Sequence, residues 1–78
     1  MEIYKNLGEN SAIVAYEIGV DFIKVQFQDG DIYLYTVQST GEDQIAEMKK
    51  RAIAGQGLNT YISQVAKERY ASRSSAAG

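Results

Sequence analysis

From Ile23 to Phe27 the chain alternates strictly. Ile23, Val25 and Phe27 fall on one side, Lys24 and Gln26 on the other. A period of two is the mark of a strand with one buried face. The segment before it, Ser11 to Ile18, holds Ile13, Val14, Tyr16 and Ile18 and is also β-favouring. Gly19-Val20-Asp21 separates the two as a turn. A third strand follows in Ile32-Tyr33-Leu34-Tyr35-Thr36-Val37, where every residue is aromatic, aliphatic or β-branched. Past Ser39 the period changes. Ile45, Met48, Ala52 and Ile53 trace an apolar stripe at helical spacing. Leu58, Ile62, Val65, Ala66 and then Arg69 or Tyr70 repeat at intervals of three and four, which predicts a second helix starting near Asn59 or Thr60.

The punctuation between these segments agrees with them. Ser39 and Glu42 match a capping box, with Ser39 as N-cap. Glu42 and Asp43 suit the positive end of the helix dipole. Gly55 and Gly57 end the first helix. The expected fold class is α+β: a three-stranded antiparallel meander, β-β-β-α-α in order, with two helices packed on one face. A sheet of three strands needs that cover to be stable. Residues 1–10 read as an N-terminal arm or a minor edge strand, residues 11–70 as the single domain, and residues 71–78 (ASRSSAAG) as a disordered tail without a large apolar side chain.

The loop Gln28-Asp29-Gly30 decides which way two tyrosines face. Tyr33 and Tyr35 are two apart on a strand and share a side. If Asp29-Gly30 is a two-residue turn, Gln26 pairs with Tyr33 and Lys24 with Tyr35, and the rings form an exposed platform. If Gln28-Asp29-Gly30 is a three-residue loop with Gly30 in the left-handed region, Val25 pairs with Tyr33 and Ile23 with Tyr35, and the rings enter the core. One residue of register inverts the reading. The second register is favoured, because Asp-Gly suits the bulged loop as well as the tighter turn.

Composition narrows the chemistry. The chain has 78 residues and no Cys, His, Pro or Trp. Disulfides, Cys/His zinc sites and imidazole-dependent nucleophiles are therefore excluded. An apolar fraction of 45% fits a folded domain. The longest apolar run is Ala12 to Tyr16, far below the ~20 residues of a spanning helix. Glu2 and Lys5 surround isolated apolar residues, so no secretory signal is expected and cytoplasm is the expected location.

The segment from Ser11 to Tyr70 resembles the KTSC domain, found at the C-terminus of some lysyl-tRNA synthetases and alone in small bacterial proteins. The likeness rests on Ser11, Ile13 and Ala15-Tyr16-Glu17, on the strand and turn from Val25 to Gly30, on Tyr33-Leu34-Tyr35, and on Gly55, Leu58, Asn59 and Ile62 with Tyr70 closing. It covers about three quarters of the chain, and its motifs gain their specificity from their order. The chain departs from the family in having Gln38 where Pro usually follows Val37, in longer segments before Gly55 and after Ile62, and in Leu34 where a polar residue is common. The resemblance implies a small domain whose flanking tyrosines point inward. RNA binding is the role suggested for the family, from its synthetase association.

Charge is divided along the chain. Residues 1–48 carry 2 basic and 9 acidic side chains, while residues 49–78 carry 6 basic and 1 acidic, within a formal net charge of -2. Lys49, Lys50, Arg51, Lys67, Arg69 and Arg73 are therefore the candidate nucleic-acid-binding residues, able to neutralise phosphates. The competing reading is ordinary helix chemistry, and it is preferred because a pI near 4.9 is far from that of a dedicated nucleic-acid domain. Tyr33 and Tyr35 could stack bases, but a packed pair is the simpler account. Asp29 and Asp31 could touch a divalent ion, yet a hairpin turn explains them better. Gly55-Gln56-Gly57 lacks the strand before it and the Gly-Lys-Ser/Thr after it that a phosphate loop needs. Asn59 reads as an N-cap. Glu17, Glu42 and Asp43 offer carboxylates with nothing to pair them, so no enzyme activity, cofactor or metal is expected. Two functions are carried forward: a non-catalytic module for RNA or another polyanion through the helical half, and a protein-protein interaction or self-association module with no nucleic-acid role.

Overall fold

A computed structural model describes residues 1–7 and 11–75. Six-residue strands form where the sequence alternates: β2 (Ile13–Ile18), β3 (Phe22–Phe27) and β4 (Asp31–Thr36). Two further strands complete the sheet, β1 (Glu2–Ile3) and β5 (Ser72–Ser75). All pairings are antiparallel, and the order is β1-β2-β3-β4-β5. The expected three-stranded meander thus understates the sheet. The first residues contribute the minor edge strand, with Glu2 opposite Tyr16 and Ile3 opposite Ala15. Ser72–Ser75, expected to be disordered, pairs with β4 from Leu34 to Asp31. Its composition misleads because the backbone ladder, not side-chain burial, holds it: all four residues are exposed. Residues 76–78, the rest of that expected tail, and residues 8–10 lie outside the described residues.

Val25 pairs with Tyr33 and Ile23 with Tyr35, the register favoured from the sequence. Gln28-Asp29-Gly30 is the three-residue loop, with Gly30 at φ 94° and its N–H donating to the Phe27 carbonyl at 2.9 Å. A bulge in β2 between Ile13 and Ala15 leaves Val14 without a ladder partner on β3 and re-phases the strand. Ile13, Tyr16 and Ile18 then share one side with Ile23, Val25, Phe27, Tyr33 and Tyr35, since directly paired residues lie on one face.

That side carries the helical layer: α1 (Val37–Thr40), α2 (Glu42–Ala54), α3 (Leu58–Tyr61) and a π-helical turn (Ile62–Ala66). The core joins Tyr4, Ile13, Ile23, Val25 and Tyr35 to Ile45, Met48, Ala52, Leu58, Ile62 and Ala66. Two members of the expected stripes lie outside it, Ile53 at 63% and Val65 at 39% exposure. Helix entry also differs from expectation. Thr36 is extended and caps α1, its side chain accepting from the Ser39 N–H at 3.0 Å while Ser39 Oγ accepts from the Thr36 N–H at 3.1 Å. Ser39 is therefore the third residue of a capping box one turn early, and α2 begins after Gly41. Glu42 and Asp43 occupy its first turn as expected.

Gly55 ends α2 in the left-handed region at φ 79°, its N–H reaching the Arg51 and Ala52 carbonyls. A Cβ there would stand 2.7 Å from Cβ of Lys5, so the end of α2 and the segment after β1 meet closely. Leu7 N–H donates to the Gly55 carbonyl at 2.6 Å. Gly57, not Asn59, precedes α3 and has no side chain to cap it. The phenol of Tyr4, 3% exposed, supplies the missing acceptor, taking the Leu58 N–H at 3.2 Å.

Candidate binding surfaces

The six cations singled out from the sequence do not converge. Lys49, Lys50 and Arg51 are consecutive on α2, so they point in different directions around the helix. Lys49 Nζ donates to the Val20 carbonyl at 3.0 Å, tying α2 to the turn between β2 and β3. Arg51 pairs with Glu47 at 2.7 Å, donates to the Gly57 carbonyl at 3.1 Å and lies over the Tyr61 ring at 4.8 Å. The hydrogen bond from Arg51 holds the Glu47 carboxyl below its ordinary pKa. Lys50 lines a shallow groove of about 410 Å³ with Leu7, Glu47, Arg51, Ala54, Gln56 and Gly57, where the other cation is already engaged. Lys67 and Arg69 lie in the link between the π-helical residues and β5, and Arg73 is on β5. The Gly55-Gln56-Gly57 run is the link from α2 to α3.

Aromatic residues do converge, on the helical side of β4. Phe27 meets Tyr33 edge-on at 5.1 Å, and Tyr70 meets Tyr33 edge-on at 4.9 Å. The Tyr33 and Tyr35 rings are stacked at 6.4 Å. Tyr35 is 1% exposed and donates to the Lys67 carbonyl at 3.4 Å. Burial, reinforced by Tyr33 and Tyr70, pushes its phenol pKa well above the ordinary value. Tyr33 is half-buried, so neither ring is an open stacking platform.

Beside this cluster lies a contact that sequence reasoning missed. Arg73 Nε and Nη2 donate to Asp31 Oδ2 at 2.9 and 2.5 Å, and the guanidinium lies 5.1 Å from the Tyr33 ring. The hydrogen bond to Asp31 raises the Arg73 pKa further. The one available signal was that Asp31 and Tyr33, two apart on a strand, must share a side. Asp29 Oδ1 accepts the Asp31 N–H at 3.0 Å, so both carboxylates of the hairpin are engaged. Glu17 lies on the other side of the sheet from the helix bearing Glu42 and Asp43. Of the family-type residues, Tyr35 is core, Tyr33 its rim, Gly55 a helix terminus, and Asn59 a helical residue whose carbonyl accepts from Ser63 Oγ at 2.9 Å.

The second face of the sheet is uncovered by the helical layer. By register it presents Ile3 and Ala15, then Gln26, Ile32 and Ser74, and beside them Glu17, Lys24, Leu34 and Ser72. Phe22 opposite Thr36 completes it, and Lys24 Nζ stands 5.9 Å from the Phe22 ring. Ile3 is 80% exposed. No helix of the described residues is long and apolar enough to cross a membrane.

No protein-family model matches the chain, and neither a curated protein nor a solved structure matches it.

Proposed function

We propose that the chain is a non-catalytic protein-interaction module, and that its uncovered sheet face pairs with a second copy. The supporting observation is the one-sided placement of the helices, which leaves Ile3, Ile32, Leu34 and Phe22 on a face they do not reach. Glu17 and Lys24 sit opposite one another on that face without forming an ion pair. A two-fold axis would set Glu17 of one copy against Lys24 of the other, the self-complementarity a symmetric dimer requires. Five strands about 4.8 Å apart and six residues at about 3.3 Å each bound the face at roughly 500 Å². That is small for a specific interface, so association is weak and depends on concentration.

Binding of RNA or another polyanion has less support, because Lys49, Arg51 and Arg73 are held by protein acceptors. Membership in the KTSC family is likewise a proposal, resting on the residues that carry the resemblance. Light scattering across rising concentration tests the main reading. Mass should climb above 8.6 kDa for the natural chain and climb less for Leu34→Lys, which sets a second cation beside Lys24. A constant monomer mass for both would end it. Binding to mixed tRNA that weakens with salt, by roughly 0.7–0.9 in log slope per phosphate contact, would transfer support to the polyanion reading.

A further inference from the structure

We propose that residues 68–75 form an exchangeable arm, and that the β4 edge with Thr40, Tyr33 and Asp31 receives the same arm from a second copy.

Three observations converge on it. The first is the junction. Lys67 follows the π-helical turn at φ 46° and ψ -119°, a conformation that L side chains rarely adopt. The neighbouring bonds, from Lys67 N–H to the Ile62 carbonyl at 2.6 Å and from Arg69 N–H to the Ala66 carbonyl at 3.0 Å, clamp it there. The strain lies at the one point where the arm departs from the helical layer.

The second is how little the arm buries. Glu68, Arg69 and Ala71 to Ser75 are all exposed, and Tyr70 alone reaches the core. Detaching the arm therefore uncovers one ring and one ladder, a low-stability unit of the kind that opens without global unfolding.

The third is that the arm's contacts are modular. Thr40 Oγ1 donates to the Arg69 carbonyl at 2.9 Å. Tyr70 packs on Tyr33. Ala71 N–H donates to the Leu34 carbonyl at 2.6 Å, and Arg73 meets Asp31. Every one joins the arm to the body, so an identical arm from another copy can remake each of them, while Lys67 in the opened chain relaxes to an ordinary negative φ. Exchange keeps the contacts, relieves the junction and gives up the Arg69–Ala66 turn bond, the balance under which domain swapping is a low-cost route to dimers.

A charge-reversal pair tests this. Asp31→Arg leaves Arg73 facing an arginine, and Arg73→Asp leaves Asp31 facing an aspartate. Each chain alone carries a mismatched clamp in both the closed and the exchanged form. Unfolded together and refolded as a mixture, an exchanged heterodimer restores both clamps: the natural Arg73 meets the natural Asp31, and the new aspartate meets the new arginine. With Leu34→Lys also present in both chains, the expected result is a mixed dimer of twice 8.6 kDa, containing one of each chain by native mass spectrometry, while either chain refolded alone gives no dimer. The double variant Asp31→Arg/Arg73→Asp restores the clamp within one chain and confirms that the substitutions permit folding. A mixture that stays monomeric while the double variant folds would overturn the proposal. Adding Lys67→Gly to both partners, which removes the strain from the closed form, should weaken the mixed dimer roughly ten- to hundredfold. An unchanged dissociation constant would also count against it. Pairing through the open sheet face is a separate event. It needs no charge-reversed partner and is lost in Leu34→Lys, whereas the exchanged dimer persists in that background.

Discussion

Replacing Lys67 by glycine should stabilise the protein. A non-glycine residue held in a sparsely populated backbone region costs on the order of 1–3 kcal/mol. At φ 46° and ψ -119° Lys67 is such a residue. Its side chain is exposed and makes no hydrogen bond or ion pair among the described residues, and its backbone bonds to Ile62 and Tyr35 survive the change. Glycine also loosens the unfolded chain, which takes back roughly 0.4–1 kcal/mol. The net gain is about 1 kcal/mol, or a rise in Tm of about 4–8 °C for a domain of this size. Lys67→Ala is the control. It deletes the charge but keeps the Cβ and hence the strain, so it should stay within about 0.5 kcal/mol of the natural chain. Urea melts followed by circular dichroism, with the slope fixed by both proteins' common m value, give the comparison. A Lys67→Gly midpoint at or below that of the natural chain refutes the strain. A Lys67→Ala midpoint raised equally would assign the effect to charge instead.

Three other substitutions or titrations probe what holds the layers together. Gly55→Ala should destabilise by about 2 kcal/mol in the same urea melts, because it adds left-handed strain to a Cβ placed 2.7 Å from Cβ of Lys5; a change below 0.5 kcal/mol would show that contact to be slack. Tyr4→Phe should cost about 1–2 kcal/mol, since it strips the buried Leu58 N–H of the phenol oxygen that receives it; an unaltered melt would mean another acceptor takes over. Burial raises the Tyr35 pKa, so above the unfolded tyrosine value of about 10 the native state binds a proton the unfolded state has lost, and stability falls as pH rises past that point. Absorbance of tyrosinate against pH should show a late-ionising component that Tyr35→Phe removes, and superimposable curves would contradict it.

Much of the sheet could be read from local pattern alone. The β3–β4 register follows from one loop, since Gly30 at positive φ makes Gln28-Asp29-Gly30 a three-residue connection and turns Tyr33 and Tyr35 inward. The helical stripe Ile45, Met48, Ala52 and the stop at Gly55 are equally local. What escaped depends on partners distant in the chain. The β2 bulge places Ile13 beside Tyr16 on one face, and no period-two reading anticipates a skipped residue. The strand Ser72–Ser75 has no apolar periodicity because its ladder needs none. Asn59 looks like a cap only while Tyr4, more than fifty residues earlier, is out of view. Thr36 and Ser39 compete as caps, and the extended backbone at the end of β4 lets Thr36 win.

The charge division shows the same limit most clearly, and it bears on function. Counted along the chain, residues 49–78 look like a basic surface seeking a polyanion. Counted in space, Arg73 of that half is held by Asp31 of the acidic half, Lys49 by the carbonyl of Val20 in the turn between β2 and β3, and Arg51 by Glu47 within its own helix. Only the Lys49 contact runs from the helical layer to the sheet's connections, while Arg73 and Asp31 lie on neighbouring strands of the sheet. The Arg73–Asp31 pair joins the basic end of the chain to its acidic half across the β4–β5 ladder, which sets both side chains on one side of the sheet. A phosphate ligand recruited by Arg51 or Arg73 would have to displace an internal carboxylate, and one recruited by Lys49 would have to break its bond to Val20. On the far side of the sheet Glu17 and Lys24 stand opposite one another with no ion pair between them, on the face that carries the exposed Ile3. A second copy would set a carboxylate against an ammonium twice about a two-fold axis, whereas a simple anion meets Lys24 alone.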